Sequence, residues 1–469
     1  MVNPSANRYF VLLFISIFLL WGCKKTTDDD LETRLLAWEA PQHPFLAANG
    51  RSNTHNDAYM TDTYSISGPA TDSLTITTLE LNRICITITF DSEGRIMTLG
   101  TGVDGKRAIY LINPGSLEII DSYELPAATD LGISGAGYFY VDNQDRMVVP
   151  ASNQHIYKFA VTNSKFGLQA DYDLSAISDP SHIASVLPDW DGNLWFITEE
   201  GLAGIVNGSS SFNTIPLTHT EGEIEIREEI ANSFAIDETG GVFVVTDYAL
   251  YRLEADENNN PEIIWREEYD RGSWIKPGQF SQGSGTTPTL ISDDFVAITD
   301  NAEPRMNVLV YKRSRETAGE RLLCKVPVFR DNASATENSL IAWHNSIVVE
   351  NNYGYTRPVD FIGKWSEPGM TRIDFHADGL FEVVWESDVV VPSLVSKYSS
   401  GSNIIYTYTK ETDGWYFTRI NANTGVAEHQ NKSGDDQIRY NNHYSAISVG
   451  PTGAIYIGLA GSIIRFTEL

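Results

Sequence analysis

Cysteine is scarce in this sequence, and the short motifs that cysteine, histidine and serine form in enzymes are absent. Only three of the 469 residues are cysteine, and no CxxC pair occurs, so a structural zinc site is not expected. Cys85 and Cys324 lie in separate apolar runs, and we expect two buried thiols rather than a disulfide. HExxH, GxSxG and phosphate-loop patterns are missing too, which leaves zincin and serine-hydrolase mechanisms without support.

Basic residues are also few. Lysine and arginine together number 33, against 62 aspartate and glutamate residues, which gives a formal net charge of -29. Such an acidic surface repels phosphate backbones, so DNA and RNA are excluded as expected partners. It also argues against electrostatic docking to anionic lipid. Hydrophobic residues make up 42% of the chain, which is enough for a folded core.

Long apolar runs are missing except near the N-terminus. Arg8 is followed by the 14-residue run "YFVLLFISIFLLWG", which is short for a spanning helix and typical of a signal peptide. The run leads into "LLWGC", which resembles a bacterial lipobox, where a small residue precedes a lipidated cysteine. The resemblance implies a signal peptide over residues 1–23 and a lipid on Cys23. An ordinary cleaved signal peptide or an uncleaved anchor is the alternative.

The segment after Cys23, "KKTTDDDLETR", is charged and has no apolar period. We predict a flexible tether over residues 24–45. An acidic run behind a lipidated cysteine resembles the tethers of surface-exposed lipoproteins in Bacteroidetes-type bacteria. The resemblance implies an outer-membrane lipoprotein of the bacterial cell envelope, attached to the membrane through Cys23, with periplasmic and surface orientations both open.

A sustained helical period is absent from the rest of the chain, and a repeat of short apolar runs takes its place. Each unit has three runs of four to eight residues, separated by Asp-Gly, Glu-Gly or Asn-rich turns that suit hairpins. A fourth run lies in the gap after most units. Eight units follow at intervals of roughly 50 residues, at 84–113, 135–161, 183–206, 231–256, 286–313, 338–358, 393–421 and 441–466.

Four strands per unit at this spacing are typical of a β-propeller. We therefore predict one all-β domain over residues 46–469, with eight four-stranded blades, or seven if the unit at 338–358 is not a blade. The last unit has three runs, and an additional run, "DSLTITTLEL" (72–81), precedes the first unit. We expect residues 72–81 to complete the last blade and close the ring.

One blade carries a more specific resemblance. The stretch "GWYFTRINANTGVAEHQ" (414–430) resembles the repeat of quinoprotein-like propellers, and "INPGSLEI" (112–119) is a looser copy. Enzymes of that superfamily that use pyrroloquinoline quinone carry an adjacent cysteine pair and a tryptophan near each blade end. This sequence has neither feature, so the quinone is not an expected cofactor.

Candidate site residues follow from propeller geometry, because first strands begin and second strands end at the same face, around the central channel. Polar residues at these positions are predicted to bind a ligand: His182, Asn232, Thr286, Asp300, Asn301, Glu337, Asn338, Asn351, Asn352 and Asn442. Glu229 and His443 are the candidates for moving a proton. The set resembles, in kind, the channel residues of gluconolactonase- and paraoxonase-type propellers. That resemblance implies Ca²⁺ or another divalent ion, since carboxylate and amide oxygens suit Ca²⁺. Capping of turns is the alternative role for the Asp and Asn residues.

Two polar segments are predicted to lie near the channel mouth. Residues 55–69 are rich in Asn, Asp, Tyr and Thr and either line the mouth or form a surface loop. Residues 272–289 are rich in Gly and Ser and either approach a ligand closely or provide loop flexibility.

Two functions fit this sequence, and it leaves open whether the protein is an enzyme. The first is binding or processing of a small molecule at the central channel, with metal-assisted hydrolysis as its most specific form. The alternative is a non-catalytic scaffold for an envelope protein, similar to the eight-bladed propellers of outer-membrane assembly lipoproteins. Fold alone does not decide between them.

Overall fold

The computed structural model describes residues 26–126, 137–177, 182–355 and 365–469. The predicted signal peptide and Cys23 lie outside these residues. Within the described ranges, none of the helices is long and apolar enough to cross a membrane.

The chain begins with three elements that precede the first complete sheet. They are helix α1 (Thr26–Ala37), strand β1 (Thr63–Tyr64) and strand β2 (Leu74–Glu80). Eight sheets follow in chain order, and we number them blades 1 to 8. Each has four antiparallel strands arranged from the channel outwards.

Blades 1 to 4 occupy the first half of the ring. Blade 1 consists of β3 (Ile84–Phe90), β4 (Ile96–Thr101), β5 (Arg107–Ile112) and β6 (Ile119–Glu124), and blade 2 of β7 (Tyr140–Val141), β8 (Met147–Pro150), β9 (His155–Thr162) and β10 (Lys165–Asp173). Blade 3 consists of β11 (Ile183–Pro188), β12 (Leu194–Thr198), β13 (Leu202–Val206) and β14 (Phe212–Pro216), and a separate hairpin of β15 (Thr218–Glu221) and β16 (Ile224–Arg227) follows it. Blade 4 consists of β17 (Ala235–Ile236), β18 (Val242–Val245), β19 (Ala249–Ala255) and β20 (Pro261–Glu268).

Blades 5 to 8 complete the ring. Blade 5 consists of β21 (Thr289–Ile291), β22 (Phe295–Thr299), β23 (Asn307–Lys312) and β24 (Leu322–Pro327), and blade 6 of β25 (Ile341–Trp343), β26 (Ser346–Glu350), β27 (Met370–Phe375) and β28 (Phe381–Ser387). Blade 7 consists of β29 (Lys397–Ser399), β30 (Ile404–Glu411), β31 (Gly414–Asn421) and β32 (Ala427–Gly434), and a 3-10 turn at Ile438–Tyr440 follows it. Blade 8 consists of β33 (Ile447–Val449), β34 (Ile455–Leu459), β35 (Ser462–Glu468) and, as its outer strand, β2.

The eight-blade prediction is confirmed, and so is the closure of the ring. Strand β2 pairs antiparallel with β35 along its whole length, from Leu74 opposite Glu468 to Glu80 opposite Ser462. The unit at 338–358, on which the seven-blade alternative depended, is part of a complete blade, and a long connection follows its first two strands. Its third and fourth strands, β27 and β28, lie beyond that connection.

Burial follows the position of a strand in its blade. The inner strands are buried on both faces, because each blade packs between two neighbouring blades. Of the outer strands, β6 is largely exposed, and β32 alternates between half-buried and exposed residues. Cys85 and Cys324 are free and buried, as predicted. They lie in blades 1 and 5, so the ring separates them.

The ring has two distinct ends. We call the end with the turns between first and second strands the hairpin end; residues 292–294 and 344–345 lie there. The opposite end, where first strands begin and where the connections between blades lie, is the loop end; residues 272–285 lie there.

The segment predicted as a flexible tether differs from that prediction. Residues 26–37 form α1, which is docked at the hairpin end across blades 5 and 6. Leu35 is fully buried among apolar side chains of these two blades. Glu32 bonds the His376 ring and accepts a hydrogen bond from the Ala377 amide at 2.9 Å. Leu31 and Leu35, one helical turn apart, provide the apolar face that a charged composition concealed.

Candidate functional site

The half of the channel next to the hairpin end is filled by the chain itself. Residues 46–64, which we call the channel segment, run along the first strands, and residues 52–62 are all buried. Backbone N–H groups of five blades donate hydrogen bonds to its carbonyl oxygens. These bonds are Val141 N to Ser52 O, Ile236 N to Ala58 O, Leu290 N to Tyr59 O, Ala342 N to Thr61 O and Tyr398 N to Asp62 O, at 2.7 to 3.0 Å. The segment therefore serves as an added inner layer of the ring.

This arrangement differs from both roles predicted for residues 55–69. Residues 55–64 neither lie over the mouth nor form a surface loop; they lie inside the channel. Asn56, Met60 and Asp62 have φ values of 79°, 59° and 55°. These left-handed residues turn the segment so that its carbonyl groups reach one blade after another.

A buried charge network holds the channel segment in place. The ammonium group of Lys397, on β29, donates to Asp62 Oδ1 and to Thr54 O, and both charged side chains are fully buried. His55 Nδ1 lies 3.0 Å from Asp62 Oδ1. Burial opposes ionisation of Asp62, but Lys397 and the hydrogen bond with the His55 ring hold the pKa of Asp62 below its usual value. The sequence offered one clue: a lysine inside the apolar first strand of a blade.

In the same network, the His55 ring lies between Thr287 and Asp62. Thr287 Oγ1 is 3.3 Å from His55 Nε2, while His55 Nδ1 faces Asp62. All three side chains are buried. A cavity of about 10 Å³ beside His55 and Tyr138 has room for roughly one water molecule. A substrate has no space at this cavity, so the network's evident role is to fix the channel segment.

Most of the predicted ligand-binding residues are buried at the loop end and tie its connections together. Asn352 Oδ1 accepts the Glu337 amide at 2.8 Å, and Asn351 Nδ2 donates to Ala333 O at 2.9 Å. Asp300 Oδ1 accepts the Asn307 amide at 2.7 Å. Further bonds of this kind are Asn301 Nδ2 to Trp274 O, Asn232 Nδ2 to Gly285 O, Asn338 Nδ2 to Leu394 O, Asn442 Nδ2 to Ser445 O and Thr299 N to Thr286 Oγ1. These bonds are of the kind that the structural alternative expects, and ligand binding by these residues stays a prediction.

Glu337 does not follow this pattern. Only 6% of the residue is exposed, and no described side chain donates a hydrogen bond to its carboxyl oxygens. Burial raises the pKa of Glu337 well above its ordinary value, and the Phe280 amide is the group that opposes this shift. The carboxyl group is held without a cationic neighbour among the described residues.

The two residues predicted to move protons are far apart in the ring. Glu229 is exposed and precedes blade 4, whereas His443 is buried and precedes blade 8 on the opposite side. Burial lowers the pKa of His443 to about 4. Its Nδ1 lies 2.9 Å from the Tyr355 hydroxyl. His443 is therefore a neutral, hydrogen-bonded residue at neutral pH, and it is not paired with Glu229.

His182 lies in a small group of metal-ligating side chains on blade 3. Its Nδ1 is 2.9 Å from Glu200 Oε1 and 3.9 Å from Glu199 Oε2. Among the described residues, this is the one group of three or more His, Cys, Asp or Glu side chains whose possible ligand atoms all lie within 4.8 Å of one another. The amide of Ile230 donates to Glu199 O at 2.9 Å, which places Glu229 beside the group. A histidine and two carboxylates at half-buried positions suit a divalent cation.

The connection at 272–285 folds back across the loop end of blades 4 to 6. Gly278 has a φ of 104°, and a Cβ atom there would lie 2.3 Å from Asn352 O. A Cβ atom on Gly285 would lie 2.1 Å from Thr336 O. The glycines thus allow a close backbone approach. Close approach to a ligand was one of the two roles predicted for this segment from the sequence, whereas the atoms approached here belong to the protein.

Large apolar side chains are exposed on this face. Trp274, Ile275, Phe280 and Trp365 each expose 43 to 50% of their surface. The Phe280 ring lies 5.1 Å from that of Tyr444. The connections that carry these residues meet, since the Gly354 amide donates to Pro277 O at 2.9 Å. We call this surface the aromatic face.

Comparison with known proteins identifies one relative by sequence and supports the propeller fold. No protein-family model matches the chain. An uncharacterized protein of Archaeoglobus fulgidus is 27% identical over 463 residues, which cover 92% of this chain and 89% of the relative.

Solved structures show similarity at the level of fold. Chaetomium thermophilum Sqt1, bound to the N-terminus of ribosomal protein L10, has a TM-score of 0.51 and 11% identity over 85% of this chain and all of that one. The dihydro-heme d1 dehydrogenase NirN, in complex with DHE, has a TM-score of 0.48 and 9% identity over 84% of this chain and 70% of that one. The Sqt1 match supports the propeller fold and says nothing about activity.

Proposed function

We propose that the protein is a non-catalytic binding propeller of the bacterial cell envelope, anchored by a lipid on Cys23, which recognises a protein partner through the aromatic face. The filled channel is the observation that carries this proposal. A propeller that binds a small molecule on its axis needs an open channel, and here residues 46–64 occupy the half at the hairpin end. The predicted ligand residues at the other end are committed to holding connections.

The aromatic face has the composition of a protein interface. Tryptophan and other aromatic residues are enriched in interface cores and supply most of the binding free energy. Trp274 lies on a connection that Asn301 holds through a hydrogen bond from its Nδ2 to Trp274 O. Little ordering entropy is therefore lost on binding. The net charge of -29 favours a partner with a basic surface.

Site-specific photo-crosslinking in the cell of origin tests the proposal. A photoreactive residue at Ser273, on the aromatic face, should form an adduct with one envelope protein. The same residue at Thr424, an exposed position at the hairpin end, is the matched control and should not. Trp274→Ala with Phe280→Ala should remove the Ser273 adduct. An adduct that survives the alanine changes, or that forms equally at Thr424, would contradict the proposal.

A second candidate function is metal-assisted processing of a small molecule at the His182 group. The observation that favours it is the group of His182, Glu199 and Glu200 with Glu229 beside it. A bound divalent ion would polarise a carbonyl group of the substrate, and Glu229 would accept a proton. This reaction uses the exposed part of the loop end and does not require an open channel.

Metal analysis of the intact chain distinguishes this candidate. After equilibration with Zn²⁺ or Ca²⁺ and removal of free ion, it predicts one bound ion per chain and a melting temperature that falls with EDTA. His182→Gln with Glu200→Gln should lose the ion. His155→Gln, which alters another histidine-carboxylate pair, should retain it. An unmodified chain without a bound ion and with an unchanged melting curve rules the metal site out.

A further inference from the structure

The position of helix α1 sets how the propeller faces a membrane, provided that Cys23 carries the lipid proposed above. Four contacts fix the helix and the residue that follows it on the hairpin end. Glu32 bonds His376 at 2.8 Å, Arg34 lies 3.4 Å from Asp294, Leu35 is fully buried, and Trp38 Nε1 donates to His344 O. These contacts join the helix to blades 5 and 6 on one side of the ring.

Very little chain separates Cys23 from this docked helix. Thr26, the first residue of α1, is three positions after Cys23. Three residues span at most about 11 Å even when fully extended. A lipid inserted in the outer leaflet therefore keeps the start of α1 near the headgroups, and the docked helix keeps the propeller near the start of α1.

We propose that the hairpin end of the propeller faces the lipid surface at short range and that the aromatic face points away from the membrane. The partner of the hairpin end is thus the headgroup layer itself. Leu36, on the docked helix, and Leu380, in the turn between β27 and β28 at the hairpin end, expose 49% and 66% of their surface. Both lie where an interfacial layer would cover them.

The orientation comes from the docked helix and not from electrostatic attraction. The chain carries a net charge of -29, so anionic headgroups repel it. Salt confines that repulsion to about 8 Å at physiological ionic strength. A docked helix on a short connection is a covalent constraint that this screened repulsion does not overcome.

Accessibility of single cysteines tests the orientation on the full lipidated chain in vesicles of phosphatidylethanolamine and phosphatidylglycerol. Cys85 and Cys324 are buried, so introduced cysteines at Asp378 (hairpin end) and Ser273 (aromatic face) report alone. A bulky polyethylene-glycol maleimide should react several-fold more slowly at Asp378→Cys in vesicles than in detergent. Its rate at Ser273→Cys should be the same in both. Leu35→Asp, which removes the buried anchor of α1, should restore reaction at Asp378→Cys in vesicles.

The outcomes separate this inference from the proposed function. Mass spectrometry of the N-terminal peptide shows whether Cys23 carries lipid, and its absence overturns the anchor and the inference together. If Cys23 is lipidated but both cysteines react equally in vesicles, the anchor stands and the orientation is wrong. If protection at Asp378→Cys persists in the Leu35→Asp variant, the membrane covers the hairpin end but α1 does not set the orientation.

Discussion

The ammonium group of Lys397 lies against the carboxylate of Asp62, and neither side chain is exposed to solvent. This pair joins the first strand of blade 7 to the channel segment, 335 positions earlier in the chain. The segment's other anchors are mainly backbone hydrogen bonds, which any sequence could make. The ion pair depends on two specific side chains, as do the contacts of His55 with Asp62 and of Arg313 with Tyr59.

Replacing Lys397 by methionine should destabilise the protein strongly. Removal of one partner leaves a buried charge without compensation, which typically costs about 3–5 kcal/mol. Lys432→Met removes a pair with Asp413 whose side chains are 43% and 59% exposed, and such surface pairs contribute about 0–1 kcal/mol. Urea unfolding compares the two variants. Equal losses in both would show that the buried pair does not hold the segment.

Glu350 should make stability fall as the pH rises. Burial raises its pKa from 4.5 to about 8, with hydrogen bonds from Ser396 and Asn338 opposing the shift. A carboxyl group with a raised pKa in the folded state stabilises the fold below its unfolded pKa. That stabilisation is lost as the pH rises through the folded value.

The expected window for this loss is therefore between about pH 4.5 and about pH 8. Because each pKa unit corresponds to about 1.4 kcal/mol, the loss amounts to a few kcal/mol. Glu350→Gln cannot titrate, so the difference in unfolding free energy between wild type and variant should move in the variant's favour across this window. Urea unfolding at several pH values measures it, and a pH-independent difference would contradict the raised pKa.

The blades were predictable because their signals are local. Alternating apolar runs and turn residues recur within each unit, and β2 follows because a closed ring needs a fourth strand for blade 8. The channel segment lacks such a signal. Its residues are polar, and its backbone bonds go to five different blades, from Val141 to Tyr398. Its burial exists only once the ring is assembled.

The candidate site was predicted in position, and its role in binding a ligand stays a prediction. Propeller geometry correctly places Asn338, Asn352 and Asn442 at the loop end of the channel. The same polar groups that bind a ligand also cap turns, and sequence alone does not show which backbone groups lie within their reach. His182 differs from these residues, since its Nδ1 lies 2.9 Å from Glu200 Oε1 and 3.9 Å from Glu199 Oε2. The aromatic face was not predicted, because exposure of Trp274 and Trp365 depends on how the connections fold.

Gly285 offers a test of how tightly the 272–285 connection is held against blade 6. Its φ is not in the left-handed region, so only space decides what fits. A Cβ atom would lie 2.1 Å from Thr336 O and 2.7 Å from Glu337 Oε1. Backbone must shift to accept it, so Gly285→Ala should cost about 1–3 kcal/mol.

The matched control is Gly167 on the outer strand β10, where the nearest atoms to a Cβ would be 3.9 Å away. Gly167→Ala should leave stability unchanged or raise it slightly, because alanine loses less backbone entropy on folding. Thermal melting of the two variants measures the difference, and crosslinking from Ser273 reports on the aromatic face in the same samples. A lower melting temperature together with a weakened adduct for Gly285→Ala alone would show that the close approach of this connection to blade 6 shapes the aromatic face. A Gly285→Ala variant as stable as Gly167→Ala would show that the connection moves freely and that the face is not preformed.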